Sequence, residues 1–362
     1  MTMAKAEMAE AEIAKADKGV SLIIPNWNGA HHLVECLDSL KPQCGAEVEV
    51  VVVDNASSDD SIRLLEEQYP WVRLIRLDDN LGFSAAVNAG IRATSAPLIV
   101  LLNNDTRAAP DWLEKLVNGL LARPEASFAA CKMLLFDPPH AIDSAGDRFS
   151  LLTGTGINIG AGEPAEACAD PAWVFGACAG AAIYRRSLFD DIGLFDEDFF
   201  LVFEDVDLDM RAQVAGHRCL YLPDAVVYHK RGASTDNSSR QVAARSWRNL
   251  IWVAGKNLPP LLLTWWSLVF TAKLVRMVLV SVAARLWRRL TGRIDKPDSE
   301  REQPAAAPAP TWQQGALAAH YWPEFRRGLR LLPAKRRQTR PLRRLGSLGL
   351  LPVLLKPVRP LK

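Results

Sequence analysis

A chain of 362 residues is too long for one minimal domain and suits one large catalytic domain with appendages. With 49% hydrophobic and 23% charged residues its bulk is globular, which excludes a wholly disordered or fibrous protein. The net charge of +2 hides an asymmetry: from Pro323 onward twelve Lys or Arg accompany one acid, Glu324, so an anionic partner is expected there (phospholipid headgroups, phosphorylated lipid or nucleic acid).

Residues 1–19 read as an alanine-rich, charged leader without the apolar core of a secretory signal. The apolar run 20–24 predicts a buried strand that runs into the polar loop Pro25-Asn26-Trp27-Asn28-Gly29. Leu33, Leu37 and Leu40 recur at helical spacing. A second strand over 48–53 stops at Asp54-Asn55, and Ser57 or Ser58 can cap a helix with Ile62, Leu65 and Tyr69 on its apolar face. A third strand over 72–77 precedes a helix marked by Phe83, Val87 and Ile91. A fourth, over 98–102, stops at Asn103-Asn104-Asp105 and is followed by a helix through Trp112, Leu113, Leu116, Val117 and Leu120.

Uniformly apolar strands alternating with helices predict a mostly parallel sheet covered on both faces, with ligands beyond the carboxyl ends of the strands. Asn26 to Asn28, Asp54-Asn55 and Asn103 to Asp105 all fall at those ends. Any one of these loops is an ordinary turn; three on one edge point to a site. Residues 127–227 mix strand and helix patterns around the small-residue run 176–182, which permits close backbone approach to a ligand or tight packing. Six cysteines stand without a CxxC pair, so free thiols in a reducing cytoplasm are expected.

Two acidic segments carry candidate chemistry. Asp105, flanked by amides at a strand end, can hold a hard divalent cation, Mg²⁺ or Mn²⁺, that also bridges a diphosphate. Glu204, Asp205, Asp207 and Asp209 follow an aromatic run, where a carboxylate can acquire a raised pKa and act as a general base. Function is assigned to Glu204 and Asp205. Asp207 and Asp209 read as an ordinary surface, with Asp207 and Arg211 pairing along one helix face. His229, after the strand-like 225–228 and before Lys230-Arg231-Gly232, suits a phosphate or metal contact.

Taken together these segments resemble family 2 glycosyltransferases, in the rhamnosyltransferase-like branch. The matching residues are 20–29 (VSLIIPNWNG), 51–61 (VVVDNASSDDS), 80–91 (NLGFSAAVNAGI), 101–106 (LLNNDT), 193–211 (GLFDEDFFLVFEDVDLDMR) and 228–234 (YHKRGAS), with Arg248-Asn249 and Lys256-Asn257 near the end. The resemblance implies an α/β GT-A fold, with a Rossmann-like nucleotide half over 20–125 and an acceptor half over 126–255. It implies that Pro25 and Trp27 line the nucleotide pocket, that Asp54 hydrogen-bonds the base or ribose, and that Gly82, Asn88 and Asn104 lie against the donor. Asp105 would bind the metal and His229 would be a second metal or phosphate contact. Asp205 would be the base of an inverting transfer from a nucleoside-diphosphate sugar, with Glu204 positioning it or touching the acceptor. One departure stands out: the usual DxD signature is here Asn103-Asn104-Asp105, with one carboxylate.

A further segment lies beyond the resemblance. Residues 257–272 carry no charge and include Trp265-Trp266; Lys273 and Arg276 interrupt, 277–284 is again uncharged, and Arg285, Arg288, Arg289 and Arg293 follow. The run is shorter than the ~20 apolar residues of a spanning helix. Membrane-associated interfacial or re-entrant helices over 256–294 are expected, at the cytoplasmic face of the cell membrane, against a lipid-linked or other glycan acceptor. Residues 295–311 read as a linker and 312–362 as a basic tail. The absence of GxGxxG after the first strand disfavours a dehydrogenase. A nucleotidyltransferase or a non-catalytic sugar-nucleotide-binding protein is the alternative, and nucleic-acid binding lacks a reader motif.

Overall fold

The structure is a computed structural model that describes residues 19–230, 240–291, 321–356 and 358–361. Residues 1–18 of the leader, Arg231 to Ser234, Arg293, the linker 295–311 and the start of the basic stretch lie outside the described residues.

The N-terminal half is the parallel sheet that the apolar runs predict. Strands β1 (Val20–Asn26), β2 (Val48–Asp54), β3 (Arg73–Arg76) and β4 (Leu98–Leu102) stand in the order β3-β2-β1-β4, all parallel. The strands lack alternation because both faces are covered. On one face Leu22 and Ile24 join the core that contains helix α1 (Ala30–Leu40) and Leu65 of α2 (Ser61–Gln68). On the other, Ile23 joins Ala86, Val87 and Ile91 of α3 (Phe83–Arg92). Strand order reverses at β1, between β2 and β4, which opens a crevice at the carboxyl ends of these strands.

Beyond β4 the sheet becomes mixed. The chain runs through β5 (Thr106–Ala108), α4 (Trp112–Leu121), β6 (Phe128–Leu135), β7 (Ile142–Ser144), the hairpin β8 (Asp147–Ser150) and β9 (Thr155–Asn158), β10 (Ala172–Val174), β11 (Ala181–Arg185) and α5 (Arg186–Ile192). Helix α6 (Glu204–Ala215) and β12 (Cys219–His229) complete this part. β11 lies antiparallel between β4 and β6, and β12 runs parallel to β6. The result is an eleven-stranded sheet with helices on both faces.

Helix α6 corrects one expectation. Asp207 and Asp209 are fully buried, not surface residues. Asp207 does pair with Arg211, at 3.0 Å, but Lys256 Nζ (2.9 Å) and Asn257 Nδ2 (2.7 Å) also reach it from α7 (Arg240–Asn257). These partners are about fifty residues away in sequence, so no local pattern could reveal them.

The C-terminal helices α8 (Pro260–Thr291), α9 (Tyr321–Thr339) and α10 (Ser347–Leu355) build a third core with α6 and α7, around Phe199, Trp252, Trp266 and Phe270. The stretch read as a basic tail is folded onto this core: Trp252 Nε1 donates to Gly328 O, Lys335 pairs with Asp196 and Asp198, and Arg336 donates to Gly255 O and Leu258 O. Its last strand, β13 (Val358–Pro360), adds to the sheet beside β10. Part of the basic surplus is therefore matched inside the molecule. Among the described residues no helix is long and apolar enough to cross a membrane. The six cysteines are free thiols.

Candidate active site

At the carboxyl edge of the parallel strands, three of the expected residues form one hydrogen-bonded row. Asn26 Nδ2 donates to Asp54 Oδ1 (3.1 Å), and Asn104 Nδ2 donates to Asn26 Oδ1 (2.7 Å). A side chain on Gly29 would collide with Asn104 and Asn26, so the glycine lets the β1 loop close over this row. Asp54 also accepts from the Ser57 backbone N–H at 2.9 Å and has no exposed surface. It fixes the β2 loop, which Asn28 laces to β1 through Ser57 and Ser58. Pro25 is half-buried at the end of β1, whereas Trp27, 44% exposed, offers an indole surface to a ligand.

Next to this row, His229 joins two carboxylates. Its Nε2 lies 3.3 Å from Asp105 Oδ1 and its Nδ1 lies 2.7 Å from Asp143 Oδ2. The antiparallel pairing of β12 with β5 sets His229 opposite Thr106 and so beside Asp105, while β7 brings Asp143 from the far side. Burial opposes charge on His229, but the bonds to Asp105 and Asp143 outweigh it and push its pKa up to about 9. Burial raises the Asp105 pKa, but the bond and charge of His229 outweigh it and leave the group below its ordinary value. A cation here would have to displace the Nε2 proton; His229 Nε2 and Asp105 Oδ1, with Nδ1–H held on Asp143, are then a donor set that fits a divalent ion. Among the described residues no three His, Cys, Asp or Glu side chains gather as a complete cage. Mg²⁺ or Mn²⁺ bound here would share a phosphate-bearing ligand, the usual habit of such ions.

The second acidic group sits at the start of α6. Glu204 is nearly buried and its Oε2 has no hydrogen-bond partner among the described residues; burial, then the charge of Asp205, push its pKa up to about 8. Asp205 is half-buried and accepts from the backbone N–H groups of Val206 (2.7 Å) and Ala179 (3.4 Å). Burial raises its pKa despite those bonds. The small-residue run makes this approach possible: Ala177 N–H donates to Asp209 Oδ1, and a side chain on Gly176 would collide with Asp209. The same run includes Gly180, whose carbonyl accepts from Asn103 N–H at 2.8 Å. One short segment therefore touches both the Asp205 carboxylate and the loop that carries Asp105.

Two other expected donor residues also make contacts within the fold. Asn88 is buried and forms three bonds to the 195–197 segment, two with the Phe195 backbone and one with Glu197 Oε1. Gly82, at φ +86°, caps α3; a side chain there would meet Phe200 O at 2.5 Å. It permits contact between α3 and the segment before Glu204. Asp143 escaped the sequence reading, because it is a single acid in an unremarkable stretch and its partner stands 86 residues away.

Comparison with known proteins bears on this geometry. Residues 21–193 match the model of Glycosyl transferase family 2, a span that ends before Glu204. An N-acetylglucosaminyl-diphospho-decaprenol L-rhamnosyltransferase of Mycobacterium tuberculosis is 27% identical over 242 residues, covering 59% of this chain and 76% of that protein. The O-antigen biosynthesis protein RfbC of Myxococcus xanthus is 28% identical over 225 residues, 59% of this chain and 17% of that one. Among solved structures, GalNAc-T7 with UDP, GalNAc and Mn²⁺ superposes with a TM-score of 0.53 at 16% identity. The match covers 66% of this chain and 48% of that one, and it shows a shared GT-A fold.

Proposed function

Because this chain carries a family 2 glycosyltransferase domain, we propose that it moves a hexosyl group from a nucleoside-diphosphate sugar to a hydroxyl of a glycan or lipid-linked glycan, inverting the anomeric carbon. One observation carries the reading: a half-buried Asp205 with a raised pKa stands beside a Glu204 that keeps its proton. Asp205 is the better placed of the two to act as the base, because it is less buried than Glu204 and the Val206 and Ala179 N–H groups favour its charged form. It takes the proton of the acceptor hydroxyl, whose oxygen bonds to the anomeric carbon as the bond to the diphosphate breaks. The nucleoside diphosphate leaves with the bonding pair. With Asp205 acting as the base, the acceptor oxygen itself displaces the diphosphate, and this single displacement inverts the centre.

The donor lies in the crevice at β1, β2 and β4, with Trp27 and Pro25 against the nucleotide and the row Asn26-Asp54-Asn104 shaping its floor. Asp105 and His229 would hold Mg²⁺ or Mn²⁺, with Asp143 fixing the imidazole. Bound there, the ion supplies charge neutralisation for the departing diphosphate. Rhamnose is the first sugar to test, from a dTDP donor among others, because the mycobacterial relative is named an L-rhamnosyltransferase. Its name gives N-acetylglucosaminyl-diphospho-decaprenol as the acceptor, a lipid-linked sugar, which supports a role in cell-envelope polysaccharide synthesis at a membrane face. The exposed apolar side of α8, through Leu261, Trp265, Leu268, Leu279, Leu286 and Trp287, supplies the attachment.

The test is a panel of dTDP-, UDP- and GDP-sugars with a glycosyl-diphospho-lipid acceptor and Mn²⁺, the product anomer being assigned by NMR. The expected product has the configuration opposite to the donor. Retention would overturn the single displacement, and pyrophosphate release without sugar transfer would favour a nucleotidyltransferase.

A further inference from the structure

The backbone leading into Glu204 and Asp205 is held in an unfavourable shape. Phe200, Val202 and Phe203 have φ of +68°, +69° and +68°. Side chains disfavour this left-handed region, and a β-branched residue such as Val202 does so most. Phe203 is the residue from which α6 starts, so this shape sets where the helix begins and where its first two carboxylates point. Such a conformation persists only where surrounding groups over-determine it.

The groups that hold it come from one turn of α7. Asn249 has no exposed surface, and its Nδ2 donates to three carbonyls of the segment: Phe199 (3.1 Å), Leu201 (3.0 Å) and Val202 (2.7 Å). Its Oδ1 accepts from Arg248 Nε at 3.0 Å. Arg248, also buried, donates from Nη2 to Asp198 O and Phe199 O, each at 3.1 Å, and from Nη1 to Glu324 of α9. The Arg245 guanidinium lies 4.3 Å from the centre of the Phe200 ring. On the other side, the Phe200 carbonyl accepts from Ser84 N–H at 3.4 Å, at the start of α3. An amide whose two N–H bonds are shared among the Phe199, Leu201 and Val202 carbonyls, braced by an arginine that reaches two carbonyls, is a clamp on the 198–203 segment.

We infer that Asn249, braced by Arg248, is a positioning residue that holds Phe200, Val202 and Phe203 at their positive φ and thereby aims Asp205 at the acceptor. The inference rests on Asp205 being the base, as proposed above. Asn249 does not touch substrate; it acts through the backbone. Losing the clamp lets the segment relax toward ordinary φ values and turns the carboxylates away, while the donor crevice at β1, β2 and β4 is left intact.

The test compares Asn249→Ala with Val253→Ala, a fully buried apolar residue one turn along the same helix. Asn249→Ala is expected to lower kcat by about tenfold or more, the scale on which small misplacements act, with donor-nucleotide affinity unchanged. Val253→Ala is expected to lose a comparable amount of thermal stability and keep its kcat. Glycine adopts positive φ without cost, so adding Val202→Gly to Asn249→Ala should recover part of the lost kcat. Should Asn249→Ala fail to fold, Arg248→Lys gives the milder form of the same kcat-specific loss. A kcat loss no larger than that of Val253→Ala, or no recovery with Val202→Gly, would overturn the clamp. Asp205→Asn run in parallel separates the two ideas. If that variant keeps its turnover, the base assignment fails; if it is inactive while Asn249→Ala is unaffected, only the clamp fails.

Discussion

At neutral pH folded Glu204 keeps a proton that the unfolded chain has already released. Its pKa rises from 4.5 to about 8 on folding, because burial and the neighbouring Asp205 both penalise the charged form. Between those values the native state binds more protons than the unfolded one, so stability falls as pH rises from about 5 toward 8. Glu204→Gln cannot titrate and should lack this component. Urea melts at pH 5 and pH 8 should show the wild type losing stability relative to Glu204→Gln, on the order of 1 kcal/mol or more; a constant difference would remove Glu204 from the account. Asp143 acts one step further from the chemistry. Residues that orient a metal-binding imidazole typically matter about 10–100-fold in metal affinity. Asp143→Asn should therefore raise the Mn²⁺ concentration for half-maximal activity by about that factor, whereas an unchanged requirement would place the ion away from His229.

The two sides of helix α8 differ: one packs on the domain and the other is exposed, and the proposed membrane contact uses the exposed side. Leu262, Trp266 and Phe270 are buried in the third core, and the Trp265 and Trp266 indoles donate to Leu151 O and Gly154 O of the β8–β9 hairpin. Leu279 and Leu286 remain exposed. Replacing both by Glu should abolish flotation of the full chain with anionic phospholipid vesicles. It should leave the melting temperature nearly unchanged, because exposed positions contribute within about 0.5 kcal/mol. Persistent flotation would move the membrane contact elsewhere. Helix α6 is the contrary case. Its acids suggested a solvent-facing helix, yet the cations and amides of α7 allow Asp207 to be fully buried.

Across the whole molecule, the sequence made the parallel half legible because each buried strand announces itself by an uninterrupted apolar run ending in a polar loop. Asn26, Asp54 and Asn104 could be placed on one edge for that reason, and they do meet there. The mixed half was less legible, since β10 and β13 are three residues long and pair across a large sequence separation. Positions were easier to read than roles. Asn88 and Gly82, expected at the donor, also connect α3 to the 195–200 segment, a contact the sequence did not announce. Asp143, Arg248 and Asn249 gain their significance only when β7 and α7 fold against the acids they serve. The folded C-terminal stretch has a practical consequence: shortening the chain at residue 256 would remove α9 from α7 and β13 from the sheet edge, so membrane attachment is better probed by point substitutions.

The central claim is that Asp205 is the base of an inverting transfer. It is tested most directly by measuring turnover and donor-nucleotide binding together for Asp205→Asn. Turnover should fall by about 10²–10⁴-fold, the usual worth of a positioned general base, while the donor still shifts the thermal melt as it does for the wild type. Turnover within a few-fold of the wild type would contradict the assignment.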